Sequence, residues 1–351
     1  MTLLPPLVPA DTVWITRCPV PTATAIALHH GWFDQAFTAR GFRTQTLQDT
    51  TDPKLRSQHF YHDLRTLFRE GGNVPAFWAR AKGHDNTVVV GLTWVDETQL
   101  LLARPGSGLT PDALKGKVLG LSNAPGAVDI WRAMALRGYE TALKLHGLTL
   151  DDVTLKDLHA PEVNWNGQRR GGTWSSASED ALLSGEVDLI YAKGAPAVAL
   201  QAKHGLEVVL DLNTLSDPVL RINNGTPRPI TVHRHFLNDH PELIALYLRI
   251  IDQASDWARA NPQRVADIIA SETGTTPDAV RAGYGEKLAR SFDVSLSPER
   301  VAAFQDQADF LFRHRLIEAP VDVGQWIDGS ALKAAREAPD LALPLQPLET
   351  V

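Results

Sequence analysis

The 351-residue chain has one cysteine, Cys18, and only two methionines. A single thiol excludes an intramolecular disulfide and any zinc or iron–sulfur centre that needs several cysteines. No window approaches the roughly 18 uninterrupted apolar residues of a membrane span. Positive charge is in deficit. The 34 Lys and Arg stand against 41 Asp and Glu, a net of −7 with His neutral, which argues against the basic face of a nucleic-acid binder. There is no Walker loop, no GxGxxG spacing and no Gly-x-Ser-x-Gly elbow. His29-His30 and His233-Arg234-His235 lack acidic or Cys companions at metal spacing and read as surface or capping residues. There is no internal repeat and no low-complexity tract. The Met1–Ala10 segment has no basic start and holds three prolines, so it is a poor secretion signal and a cytoplasmic location is expected.

Hydrophobic residues make up 44% of the chain and charged residues 21%, an ordinary globular balance long enough for two domains. Strand and helix patterns alternate. Thr12–Thr16 reads as a strand leading through Arg17-Cys18-Pro19-Val20-Pro21 into a helix over 22–37. A second strand–helix pair is expected at 42–47 and 53–65. The run at 86–94 is of the doubly buried, parallel kind, and strands follow at 100–103, 117–122, 153–157, 187–191 and 206–210. Long helices are expected over 127–146 and 194–204, and four more between 241 and 314. Pro/Gly breaks near 104–110 and 213–229 divide this α/β pattern. They predict a bilobal clam: residues 1–105 plus 216–351 in one lobe, 106–215 in the other, with the ligand site in the cleft between them.

Three places could carry chemistry. Cys18 is either a small buried hydrophobe or a thiol activated by the helix that follows, with Arg17 adjacent but on the opposite strand face. Arg69-Glu70-Gly71-Gly72-Asn73 is either a plain turn or an oxyanion site, with backbone N–H groups and an arginine fork close together. Ser122-Asn123-Ala124-Pro125-Gly126 opens a long helix and is either an anion site or a capped N-terminus. Trp14, Trp78, Trp94, Trp131, Trp165 and Trp174 belong to the core or line an aromatic pocket.

Together these residues resemble a known family. Cys18-Pro19-Val20-Pro21, His59-Phe60 followed by Arg69-x-Gly71-Gly72 and Pro75, Gly185-Glu186-Val187-Asp188 with Tyr191, and the C-terminal Phe310-Leu311, Glu318-Ala319-Pro320-Val321 and Gln325-Trp326 are similar to the 2′-hydroxybiphenyl-2-sulfinate desulfinases. Those are aryl-sulfinate desulfinases of dibenzothiophene desulfurisation, cytosolic relatives of the periplasmic sulfonate-binding proteins. The resemblance implies a type II periplasmic-binding-protein-like fold with two parallel-sheet lobes. It implies a cofactor-free, metal-free monomer that cleaves the C–S bond of an aryl sulfinate to release sulfite. The family's essential cysteine falls on Cys18, and its site histidine and arginine on His59 and Arg69. The glycine whose N–H meets the sulfinate falls on Gly72, and a serine two residues before the cysteine on Thr16. Gly71, Asn73 and Ser122 join Arg69, Gly72 and Thr16 as candidate substrate-binding residues. Glu70 stands where the family has an aromatic residue.

Two routes fit this implied chemistry. Cys18 protonates the ring carbon as a thiol, or attacks sulfur as a thiolate. The alternative function is capture of a sulfonate or sulfinate without chemistry, as in an ABC-type uptake system. A thiamine-pyrimidine-precursor enzyme on the same fold would need a cysteine-rich motif, which this chain lacks.

Overall fold

The computed structural model describes residues 11–18, 20–124, 126, 128–159, 173–285 and 288–337. Pro19, Trp165 and the Trp174 side chain, all named above, lie outside the described residues.

Among the described residues, ten strands form three sheets. Strands β1 (Thr12–Ile15), β2 (Arg43–Thr46) and β3 (Leu67–Glu70) are mutually parallel. β4 (Thr87–Thr93) and β10 (Arg228–His233) complete a five-stranded sheet of order β2-β1-β3-β10-β4. β10 runs antiparallel to both of its neighbours. β5 (Gln99–Ala103) pairs antiparallel with β8 (Ile190–Lys193) and β9 (Glu207–Asp211). β6 (Val118–Asn123) and β7 (Thr154–His159) are parallel, and a Leu119–Leu189 bridge ties β6 to the approach to β8.

The fold is therefore mixed α/β, which corrects the expectation of two parallel sheets. The reason is topological. The chain leaves the large sheet through β4 and returns through β10, so the two neighbours run in opposite directions; β5 and β9 do the same on the far side. The expected boundary at 105/106 follows β5, whose partners are β8 and β9, so sheet membership puts the first crossing at 94–98 and the second at 212–227. The 104–108 Pro/Gly segment is a surface turn whose Gly106 and Gly108 N–H groups donate to Glu207.

Two strands were not expected. β3 contains Arg69 and Glu70, each 1% exposed, where a strand pattern would place apolar residues. β10 contains Pro229, which ordinarily argues against an interior strand. Here a register shift between Ile230 and Thr231 accommodates it.

The helix expected over 22–37 is broken by Gly31 at φ 67° into α1 (Ala23–His29) and α2 (Trp32–Thr38). His30, at the break, is fully buried between the rings of Trp32 and Trp257, which corrects its surface reading. His233 is a cap as expected, its Nδ1 accepting from the His235 N–H. The helix expected over 53–65 is reduced to single turns, α3 (Pro53–Arg56) and α4 (Gln58–Tyr61), ending at His62 in the left-handed region. Then follow α5 (Asn73–Ala81), α6 (Ile130–Lys144), α7 (Thr173–Ser184), α8 (Gly194–His204), α9 (Arg234–Asp239), α10 (Pro241–Ala260), α11 (Pro262–Thr273), α12 (Pro277–Tyr284) and α13 (Pro298–Arg313).

One core packs the large sheet against α10 and α11, with Phe68 stacked on Tyr247 at 4.1 Å. A second runs without interruption from Val74 and Phe77 of α5 through Met134 and Tyr139 of α6 to Phe304 and Trp326. This apolar continuity joins the two sets of strands. No helix among the described residues is long and apolar enough to cross a membrane.

Candidate active site

A cavity of about 510 Å³ opens where the large sheet meets the β5 side. Cys18, His59, Gly72 and Arg228 line it from one side, and Glu97, Lys193 and Gly194 from the other. Phe60, Tyr61, Val128, Ile130, Trp131 and Met134 form an apolar wall. Of the six tryptophans considered, Trp131 lines this cavity; Trp14 and Trp78 are buried, and Trp94 donates to Asp96.

Cys18 is positioned by the end of β1. Thr16 still pairs with β3, its N–H and hydroxyl both donating to Phe68 O at 3.0 and 2.9 Å. The Thr16 hydroxyl is thus committed to the sheet and does not line the cavity. Alternation then sends Arg17 away, into a bidentate pair with Glu272 of α11. Cys18 keeps partial exposure, and its Sγ lies 3.4 Å from Glu70 O, to which the thiol donates. The helix that follows, α1, is capped by Thr22, which accepts from the Ala25 N–H. Burial pushes the Cys18 thiol up; Arg228 and Arg69 oppose that shift, and Glu70 reinforces it. Cys18 is therefore a protonated thiol at neutral pH.

Arg69 is held on β3 behind the cavity wall. Its Nε donates to His59 O at 2.7 Å and its Nη2 to Gly72 O at 3.1 Å. Its Nη1 is buried with no hydrogen-bond partner among the described residues. Burial lowers the guanidinium to about 10, against the pull of Cys18. Gly71 covers it so closely that a Cβ would lie 2.8 Å from Arg69 Cζ, so the Arg-x-Gly spacing is a packing requirement. A Cβ on Gly72 would sit 2.4 Å from the Asn224 carboxamide. Asn224 O accepts the Asn73 N–H at 2.7 Å and its Oδ1 accepts the Val74 N–H at 3.0 Å. The Gly72 N–H has no acceptor among the described residues.

His59 is buried and neutral. Desolvation pushes it well below the ordinary imidazole range, and Arg69, Arg228 and His62 add to the shift. Asn73 does not face the cavity. Its Nδ2 donates to Asn223 O and Pro227 O, and its Oδ1 accepts from Gln307, which pins the returning crossing to α5. Ser122 is fully buried, its hydroxyl without a partner among the described residues, and it too is off the cavity wall. The helix beyond it is capped by its own Asp129, which accepts the Arg132 and Ala124 N–H groups at 2.9 and 2.8 Å. That capped N-terminus was the bland alternative for this turn.

Sequence reasoning missed Arg228, 3% exposed and on the cavity wall. It lies in a Pro/Asn/Gly-rich stretch that reads as a linker, with no local signal. It also missed the Glu97–Lys193 ion pair at 2.6 Å. Among the described residues, no group of three or more His, Cys, Asp or Glu is placed to hold a metal ion. Among the described residues, the site offers a protonated thiol, a neutral imidazole, an open backbone N–H and two buried guanidiniums without a carboxylate partner. This arrangement can bind a small anion and deliver one proton to it.

No family model matches the chain. It is 27% identical over 352 residues to 2′-hydroxybiphenyl-2-sulfinate desulfinase of Rhodococcus erythropolis, covering 90% of this chain and 91% of the relative. It is 24% identical over 327 residues to a putative aliphatic sulfonates-binding protein of Bacillus subtilis, covering 89% and 84%. Among solved structures, a cysteine-to-serine mutant of the desulfurization enzyme DSZB with biphenyl-2-sulfinic acid matches with TM-score 0.74 at 22% identity, covering 93% of this chain and 99% of that one. The periplasmic aliphatic sulphonate-binding protein SsuA of Escherichia coli matches with TM-score 0.67 at 16% identity, covering 91% and 92%. Over nearly its whole length, the chain is thus similar to 2′-hydroxybiphenyl-2-sulfinate desulfinase and, at lower identity, to an aliphatic sulfonates-binding protein.

Proposed function

We propose that the protein is a cofactor-free desulfinase that cleaves the C–S bond of an aryl sulfinate, with Cys18 as proton donor. The observation that carries this reading is the Cys18 thiol held against Glu70 O on the wall of a cavity that also presents buried, unpaired guanidinium. Arginine and the open Gly72 N–H suit a sulfinate's oxygens, and the wall of Phe60, Tyr61, Ile130 and Trp131 suits an aryl ring.

The raised thiol favours the protonation route over nucleophilic attack. The S–H proton adds to the ring carbon that bears sulfur, the C–S bonding pair returns to the ring, and sulfur leaves as SO₂. Water adds to SO₂ to give bisulfite and a proton, which restores the thiol. The net change is ArSO₂⁻ + H₂O giving ArH + HSO₃⁻. Buried guanidinium steadies the departing oxygens, and neutral His59 orients the group without competing as an acid. Closure of two lobes around the cavity, exclusion of water during the step, a monomeric state and a cytoplasmic location belong to this reading.

The test is sulfite release from biphenyl-2-sulfinate, its 2′-hydroxy form and benzenesulfinate. Loss of at least about a hundred-fold in Cys18→Ser is expected of a removed proton donor. The relation to sulfonate-binding proteins favours a second reading, capture without chemistry. Absence of sulfite from every substrate, with tight binding that survives Cys18→Ser, would establish that reading instead.

A further inference from the structure

We propose that Arg228 is a direct anion-binding residue of this site, taking the substrate's sulfinate oxygens on the cavity wall while Arg69 supports them from behind. The proposal rests on the sulfinate reading above and assigns a residue that neither the motif pattern nor the family resemblance marked.

Arg69 and Arg228 differ in how many of their donors are filled. Arg69 has committed Nε and Nη2 to His59 O and Gly72 O, so a bidentate fork toward a ligand is no longer free, and its remaining Nη1 is buried off the wall. Among the described residues the Arg228 side chain is committed to no backbone carbonyl and no carboxylate. It opens β10 in the interior of the large sheet, is 3% exposed and lines the cavity. Among the described residues its Nε is buried with no partner and it has no carboxylate within 4.0 Å; the side-chain contact it makes is with the Cys18 thiol.

The carboxylates nearby are already engaged. Glu97 is paired with Lys193 at 2.6 Å, and Glu70 accepts from Thr24 and Thr93 at 2.5 and 2.9 Å. A Cβ on Gly225 would sit 3.4 Å from Glu97 Oε1 and 3.6 Å from Arg228 Nη2, so Arg228 approaches this acid without bonding it. A buried guanidinium with its donors unfilled is a costly state, and an anion entering the cavity relieves it. The charges facing Cys18 are Arg69 and Glu70 from β3 and Arg228 from β10, with neutral His59 on α4 beside the arginines. Arg228 acts on the thiol by charge and by hydrogen bonding.

The experiment uses Arg228→Gln and Arg228→Lys, each alone and combined with Cys18→Ser. Calorimetry of biphenyl-2-sulfinate on the Cys18→Ser forms reads binding without turnover. The expected result is about ten- to hundred-fold weaker binding with Gln, the scale of a lost charge-assisted contact, and partial recovery with Lys. Iodoacetamide labelling against pH, on chains that keep Cys18, reads the only thiol present and needs no activity. Removing this cation moves the labelling midpoint to higher pH in Arg228→Gln and less in Arg228→Lys. Unchanged binding and an unchanged midpoint in Arg228→Gln would overturn the proposal. If Arg228→Gln fails to fold, Arg228→Lys decides: wild-type binding is expected to fall several-fold, and an unchanged affinity and midpoint would overturn the proposal. If Cys18→Ser with Arg228 intact binds no sulfinate, the desulfinase reading fails and the ligand role falls with it, while a shifted midpoint would still show Arg228 acting on the thiol.

Discussion

Two helix N-termini meet the same cavity and differ in who satisfies them. At α6 the cap is local: Asp129, at the N-cap, takes the Arg132 and Ala124 N–H groups and places a carboxylate on the wall. At α5 the N-cap is Gly72, which has no side chain to offer. The Asn73 and Val74 N–H groups are taken by Asn224, 150 residues further along, and the Gly72 N–H is left open. Both turns read alike in sequence, as small residues before a helix. What separates an anion site from a capped helix is the source of the capping oxygen and its charge. A carboxamide from a distant loop leaves the α5 end receptive, whereas a carboxylate makes the α6 end repel an anion.

The α5 end should respond most strongly to substitution. Arg69→Gln should weaken biphenyl-2-sulfinate binding by about a hundred-fold, because it removes the buried cation and frees His59 O and Gly72 O. Binding within two-fold of wild type, by calorimetry in the Cys18→Ser background, would mean that the α5 end is not the anion site. Gly71→Ala is a subtler cut. Its Cβ would press on the Arg69 guanidinium from 2.8 Å, and about ten-fold weaker binding is expected from the displaced charge. At α6, Asp129→Asn keeps a competent cap but removes the charge. Binding should tighten a few-fold with melting unchanged; weaker binding would assign Asp129 a favourable ligand contact.

The smallest expected effect concerns histidines rather than helix ends. Burial holds His30 down at about 4 and His59 and His62 well below the ordinary range. Groups with a lowered folded-state value stabilise the fold fully above pH about 6.5 and lose that contribution as pH falls through the folded value. Melting temperature should therefore fall as pH drops from 7 toward 4. The fall should be smaller in His30→Phe, which removes one buried imidazole from between Trp32 and Trp257. An identical pH dependence in His30→Phe would remove His30 from the account.

Much of the site's chemistry was legible in order along the chain. Cys18, His59 and Gly72 do meet at one cavity, with Arg69 directly behind them, and the alternation that turned Arg17 away was readable too. Thr16, Asn73 and Ser122 were candidates by neighbourhood alone, and neighbourhood does not say which way a hydroxyl or carboxamide bonds. Thr16 went to the sheet, Asn73 to the crossing loop and Ser122 to the interior. β3 and β10 were hidden because their buried positions hold Arg69, Glu70 and Arg228, and a charged residue in a strand reads as surface.

The α/β character, the ends of α8, α10, α11 and α13 and the single thiol could be read from sequence, because periodicity and capping act over a few residues and leave a local trace. The mixed large sheet, the upward push of burial on the Cys18 thiol and the place of Arg228 in its pocket arise from tertiary contacts. Each of those depends on desolvation and charge set by partners far apart in the chain, as with Cys18 and Glu70, 52 residues apart, and distance in space leaves no pattern in a sequence.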